Sequence, residues 1–469
     1  MKIIKHFFML ALAGLAFAAC SNEDPIYDGR ESENPNANAP DAYTAFAINI
    51  PNVPRAKAMT RASDPGTPEE YAVNTLHVFI YDAESPYTPT LAEFSVADGS
   101  LSLRPGSTSI WETNRAIKTK KADKYIFAGV NLPPMIIDAI KSQGFGAFNF
   151  HEFSLPILQA TGPEGFVMFN AAYPPRTMAD QLYPTEEEAQ NPGAQLSIPV
   201  DRISVKASVA KGPEFVVNGG GTMTDLTYGW RNINQAFYFV QKMENGIIKD
   251  HNWSSYSPWD FNPGDDHLPV NESGAPIDMF SYAMENAFDF VPNVTLTDEA
   301  TYLSISGYFR PDQVIRIRPQ ASRAYPSSGS DFEIIDNPNP ERTTFYIVRT
   351  DDGVANYFAD ASVAETFAQL CNQGADGMPA LSEPYDINRN RYDEGRCYYH
   401  LFVNGEANAP QAPYNIYRNQ YYKVNLNSIQ APGNPDENFD KGKPIQPNAW
   451  LSVEIEVREW ELIEENHDL

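Results

Sequence analysis

The side chains able to perform chemistry in this 469-residue sequence are scattered rather than spaced for a reaction. Of seven histidines, His6 lies just ahead of the first apolar run, and His151-Glu152 has no second histidine four residues on, so the helical pair that holds a catalytic zinc is missing. No Gly-x-Ser-x-Gly turn presents a serine nucleophile, and no Gly-x-x-x-x-Gly-Lys loop cradles a phosphate. With 61 aspartates and glutamates, carboxylate pairs suited to glycoside hydrolysis are always at hand, and none carries weight until a fold brings it together. Asp260, Asp265 and Asp266 near His267 offer oxygen ligands for calcium, but their spacing is not that of an EF-hand, and a solvated acidic loop is the simpler reading. Trp253, Tyr256 and Trp259 in the same stretch either stack on a sugar or pack under a long loop. The expectation is a protein with no catalytic residues, no metal site and no cofactor.

The chemistry that the N-terminus does suggest is done to the chain. Lys2 and Lys5 precede an apolar run from Phe7 to Phe17, too short to span a bilayer as a mature helix, and Ala18-Ala19 lead into Cys20. Residues 1–19 thus resemble a bacterial lipoprotein signal, which implies acylation at Cys20 and attachment of the precursor to a membrane. Ser21-Asn22-Glu23-Asp24 resembles the surface-export tag of Bacteroidales lipoproteins. The polar, Pro/Asn-rich stretch over residues 20–41 has too little apolar surface to fold and reads as a disordered tether. A net charge of −27 opposes binding to a nucleic-acid backbone and favours solubility in a crowded surface layer. Beyond Cys20 the cysteines are Cys371 and Cys397, either bridged or buried as free thiols.

Between the tether and the first ordinary strand lies Tyr43 to Arg61. Phe46, Ile48 and Ile50 alternate with small or polar residues, which predicts a short strand with one apolar face. Arg55 and Arg61 follow in a segment without pattern. The stretch is either an edge strand with a basic loop or a removable strand with a protease site behind it. Downstream, β-rich runs recur at Leu76–Tyr81, Tyr125–Val130, Phe166–Phe169, Ile203–Val209, Ala236–Val240, Tyr302–Phe309, Thr344–Val348, Cys397–Val403 and Tyr421–Leu426. Helical spacing is confined to Pro134–Ser142 and Val363–Asn372, and residues 250–300 read as a long decorated loop. The pattern predicts a mostly β protein of paired sandwiches, with short helices and long loops, divided into residues 42–210 and 211–469 near Lys211. Near the C-terminus Leu451, Val453, Ile455 and Val457 form one apolar face. At Trp460 and Leu462 the phase shifts by one residue, which means a bulge or a break between two strands.

Several pieces together resemble the type V pilins, or fimbrillins, of the Bacteroidales, in particular the short-fimbria branch. They are Lys124–Pro133 with its Asn-x-Pro turn, Val200–Ala207 with Arg202 and Lys206, Gly395–Tyr399, and Tyr417–Val424 with Pro432-Gly433 before the strand ending at Trp460. The resemblance implies two transthyretin-like β-sandwich domains and a surface fimbria built by strand exchange for adhesion. It further implies an Arg-specific surface protease that cuts after Arg61 or Arg55 and removes the strand over residues 43–61 with Phe46, Ile48 and Ile50. The opened groove would accept a donor strand carrying Val453, Ile455, Val457, Trp460 and Leu462 from another subunit. The implied partners are other pilin subunits, that protease, the outer membrane through lipid on Cys20, and a host or bacterial surface ligand. The alternative is an anchored glycan-binding surface lipoprotein that does not polymerise.

Overall fold

The computed structural model describes residues 35–50, 67–143, 153–253, 255–319, 325–405, 412–446 and 451–459. The protein is mostly β with short helices, as the alternating runs predict. Strands β1 (Asp41–Thr44) and β2 (Phe46–Asn49) come first. They are followed by β3 (Thr75–Asp82), β4 (Ser85–Ser95), β5 (Leu101–Leu103), β6 (Ile110–Thr113), β7 (Ile117–Lys120) and β8 (Lys124–Val130). Beyond the helix Pro134–Gln143 lie β9 (Met168–Asn170) and β10 (Leu196–Arg202). An eight-stranded sheet joins them in the order β4-β3-β8-β9-β10-β2-β6-β5, while β1 pairs with β7.

The interior strand β3 shows why the run is apolar throughout. Successive strand side chains point to opposite faces, and both faces of β3 are covered. Leu76, Val78 and Ile80 enter one core with Phe46, Ile48, Ile126 and Val200. Phe79 and Tyr81 enter another, roofed by Ile136 and Ile140 of the helix and by Phe237 and Phe239. Phe94 and Leu101 come from the two outermost strands yet share the first core, so the sheet curls over itself.

The second half is built from β11 (Ser204–Val217), β12 (Gly221–Arg231), β13 (Leu268–Pro269) and β14 (Ser281–Met284). It continues through β15 (Tyr302–Pro311), β16 (Arg396–Leu401), β17 (Gln420–Ile429) and β18 (Leu451–Glu459). Two four-stranded sheets result, β14-β11-β17-β18 and β13-β12-β15-β16. Val205, Ala207, Tyr422 and Val424 from the first sheet meet Tyr228, Trp230, Leu303 and Tyr399 from the second in one core. Two sheets sharing a core between their inner faces are a sandwich. The chain crosses from the eight-stranded sheet into this sandwich between Arg202 and Ser204, and β11 runs on through Lys211. A smaller core gathers Phe332, Val348 and Phe358 around the helix Ala361–Gln373, whose N-cap Asp360 accepts from the Ser362 and Val363 amides.

Three expectations need correction or completion. The apolar run Ala236–Val240 is a strand only over Ala236–Phe237; Phe239 and Val240 are buried by packing against the helix-covered face, not by pairing. Residues 250–300 are not simply loop, because Ser281–Met284 pairs with β11 and contributes Ala283 to the sandwich core. Its four residues are too short for period two to announce a strand. Cys371 and Cys397 are both free and buried, in separate cores. Burial pushes their thiols up to about 11 and about 12 respectively, so both stay protonated.

Candidate functional site

The strand Phe46–Asn49 is an interior strand, which rejects the edge-strand reading of its sequence. It runs parallel to β10 with Phe46 opposite Leu196 and Ile48 opposite Ile198. It runs antiparallel to β6 with Ile48 opposite Trp111. Phe46 and Ile48 have no exposed surface and Ile50 has 2%. All three enter the core of the curled sheet, where each buried apolar side chain is worth about 1.5–3 kcal/mol. The backbone continues the seat on both sides: the Leu196 amide donates to the Ala45 carbonyl at 2.9 Å and the Ile50 amide to the Ser109 carbonyl at 3.0 Å. Thr113 Oγ1 accepts from the Phe46 amide at 3.2 Å.

Strand β1 extends this segment outward along β7. Asp41 lies opposite Lys120, and its carboxylate reaches Lys120 Nζ at 2.9 Å and Lys118 Nζ at 2.7 Å. These charge-assisted bonds hold the Asp41 carboxyl below its ordinary range and raise Lys118. Tyr43 exchanges backbone hydrogen bonds with Tyr183 at 2.7 and 2.9 Å. The sheet order carries a further consequence: the β5–β6 hairpin reaches the rest of the eight-stranded sheet through β2.

Residues 51–66, which contain Arg55 and Arg61, lie outside the described residues, as does Cys20. Where the chain re-enters, at the one-turn helix Pro68–Tyr71, it is fastened by a buried ion pair. Lys206 Nζ lies 2.9 Å from Glu70 Oε1, and both side chains are essentially without exposed surface. Tyr282 Oη donates to the same carboxylate at 2.6 Å. Burial next to that carboxylate pushes the Tyr282 phenol far up, so it stays a donor. Arg202 Nε donates to the Glu70 carbonyl at 2.8 Å, and the Lys206 ammonium sits 3.5 Å from the centre of the Phe280 ring.

Two of the pieces that carry the family resemblance, Val200–Ala207 and Tyr417–Val424, meet here. Arg202 Nη1 donates to Asn419 Oδ1 at 3.4 Å, and Asn419 Nδ2 donates to Asp201 Oδ1 at 3.1 Å, so the Arg202–Lys206 and Arg418–Asn419 pieces interlock across 217 residues. Arg418 bridges Glu285 at 3.0 Å and donates to the Tyr238 and Phe239 carbonyls at 2.7 and 2.8 Å. Asn131, at φ 53, accepts from the Asn74 amide and donates to the Ala72 carbonyl, which fixes the entry to β3. Gly433 has no room for a side chain, since a Cβ would stand 2.2 Å from the Tyr398 carbonyl oxygen. Sequence reasoning missed Glu70, Tyr282 and Glu285. Glu70 is buried and its neighbour Glu69 half-buried, and no spacing in Pro68–Tyr71 separates the two.

At the other terminus, β18 occupies the edge of its sheet and pairs antiparallel with β17, Val453 opposite Leu426, Ile455 opposite Val424 and Val457 opposite Tyr422. Val453 and Ile455 pack partly buried on the sandwich core. The register slips between Leu426 and Ser428, on the partner strand. Trp460 and Leu462 lie outside the described residues.

The aromatic and acidic residues of the 250–270 stretch are placed as follows. Trp259 is 90% exposed, Tyr256 packs on Phe261 at 5.4 Å, and Trp253 lies beside Lys249, so the three rings do not converge. Asp266 accepts from Ser281 Oγ while Asp260 faces His251 at 3.6 Å, and among the described residues no cluster of three His, Cys, Asp or Glu is placed to hold a metal ion.

No curated protein matches the chain. Among solved structures it is similar to a candidate cell adhesion protein from Parabacteroides distasonis, at 12% identity and a TM-score of 0.47 over 90% of this chain and 99% of that one. It is similar to a fimbrilin from Porphyromonas gingivalis at 13% identity and a TM-score of 0.45, over 90% and 99%. The tip fimbrial protein Mfa3 from Porphyromonas gingivalis is similar at 13% identity and a TM-score of 0.39, over 90% and 100%. None of these likenesses is strong enough to carry function. The sequence match is more specific: residues 390–466 match the family described as the major fimbrial subunit protein type IV, fimbrillin, C-terminal. That segment holds β16, β17 and β18 with the Arg418–Asn419 piece, and it is over these residues that the chain is similar to the fimbrillin C-terminal family.

Proposed function

We propose that this chain is a structural subunit of a surface fimbria, exported as a lipoprotein precursor acylated at Cys20 and polymerised by donor-strand exchange. On this reading its two domains are β-sandwiches that divide near the start of β11, ahead of the boundary at Lys211 expected from the sequence, and it has no catalytic residues of its own. An Arg-specific protease cuts after Arg61, or else Arg55, and the strand carrying Phe46, Ile48 and Ile50 leaves. The donor strand of another subunit, drawn from Val453, Ile455, Val457, Trp460 and Leu462, then fills the vacated groove.

The observation that carries the reading is the seat of β2. A strand paired on both sides and buried to the last apolar side chain is covalently continuous with the domain that follows through the segment that holds both arginines. While covalently tethered, it occupies the groove at high effective concentration and excludes a competitor; cutting the tether removes that advantage. The buried Glu70–Lys206 pair keeps the chain beyond the cut in place.

The test is the N-terminal sequence of the protein recovered from the cell surface, with Arg61→Ala and Arg55→Ala variants. The reading expects a chain beginning at Ala62, and Arg61→Ala to leave an exported monomer that forms no fibres. Fibres at the normal rate from the double variant, still carrying Phe46–Ile50, would refute it.

A further inference from the structure

We propose that removal of the N-terminal strands uncovers a lysine seat on β7, and that this seat recognises the acidic C-terminal segment of a second copy of this chain. The inference rests on the strand-exchange reading above. Lys118 and Lys120 are side by side on one face of β7, half exposed, and both spend their charge on Asp41 of β1. With Asp82, Thr90 and Lys124 they line an open cleft of about 290 Å³. Lys124 has its own carboxylate in Asp82, so Asp41 is the counter-charge of the other two lysines.

Asp41 lies upstream of both arginines, and either cut carries it away. Residues 1–61 contain six basic and six acidic side chains, so the trimmed chain keeps its net charge of −27. The change is therefore local: an exposed strand edge with two uncompensated ammonium groups appears on a strongly acidic molecule. Lysines on an open strand edge hold off indiscriminate pairing with neutral or basic strands, and they favour a strand that brings its own carboxylates. The chain supplies such a partner. From the final residue of β18 onward, Glu459–Leu469 hold Glu459, Glu461, Glu464, Glu465 and Asp468 and no lysine or arginine. A single exposed ion pair adds little affinity; two lysines facing five carboxylates act on partner choice and on the encounter rate.

The experiment uses a fluorescent peptide of residues 451–469, the full-length chain, and the same chain trimmed through Arg61 with an Arg-specific protease and verified by mass. Fluorescence anisotropy is expected to show binding to the trimmed chain and none to the precursor. Lys118→Glu with Lys120→Glu should weaken binding on the order of tenfold, with the milder Lys118→Gln and Lys120→Gln pair intermediate. A peptide carrying Glu461→Lys, Glu464→Lys and Glu465→Lys should reverse the preference and bind the Glu variant better than the wild type. Equal affinity of the native peptide for the wild type and both variants, each with wild-type thermal unfolding, overturns this inference and leaves strand exchange standing. A peptide that binds neither trimmed nor untrimmed chain overturns strand exchange and this inference together.

Discussion

Glu70 and Lys206 show what a single pair does in this fold. The two groups are 136 residues apart in sequence, and each is the other's compensation for leaving water. Removing one partner strands a buried charge, so Glu70→Gln or Lys206→Met should lower stability by about 3–5 kcal/mol in urea unfolding. The double variant Glu70→Leu with Lys206→Met should recover much of that loss; an additive double variant would mean the pair is not coupled. His77, on β3, carries a pH signature. Burial holds its ring below the ordinary value of 6.5, against the opposing pull of Glu93. As pH falls through that value the unfolded chain binds a proton there before the folded chain does, so stability drops on acidification across the window below 6.5. The urea midpoint of His77→Gln should fall less than that of the wild type between about pH 7 and about pH 5. An equal fall in both would remove His77 as a cause.

At the scale of elements, the order of the eight-stranded sheet makes β2 a keystone for the β5–β6 hairpin. If β2 leaves as proposed, β6 loses its ladder on that side, from Ala47–Glu112 to Asn49–Ile110. Hydrogen exchange of residues 101–113 should therefore speed up in the trimmed monomer and slow again in the polymer, while β3 and β8 stay protected throughout. Unchanged exchange after trimming would mean that the hairpin is held by side chains alone. The same measurement on β18 asks whether Val453 and Ile455 remain on β17 of their own chain in the polymer. The helices need no such test, since Ala361–Gln373 has its cap at Asp360, its left-handed terminator at Gly374 and its buried face against Phe332 and Phe358.

For the whole molecule, a charge of −27, which the proposed trimming would leave unaltered, means that copies of the chain repel one another at long range. The screening length is about 10 Å at 0.1 M salt, so association of trimmed subunits, followed by light scattering, should speed up as salt is raised from about 0.01 M to about 0.2 M. A rate that falls steadily with salt would place the dominant charge contact in the interface rather than in the net repulsion.

The mostly β class, the apolar face of Phe46, Ile48 and Ile50, both long helices and the Val453–Val457 alternation were legible in the sequence, because period and composition are local properties that survive without a partner. The Arg202, Lys206, Arg418 and Asn419 pieces stood out as a resemblance, but their sequence did not say that they interlock. The tertiary structure alone decided that β2 is interior, that Glu70 rather than Glu69 answers Lys206, that Ser281–Met284 is a strand, and that the two thiols are apart. Each of these depends on which distant residue arrives opposite, and a strand's own alternation is the same whether it is flanked by water on one side or by β10 and β6 on both.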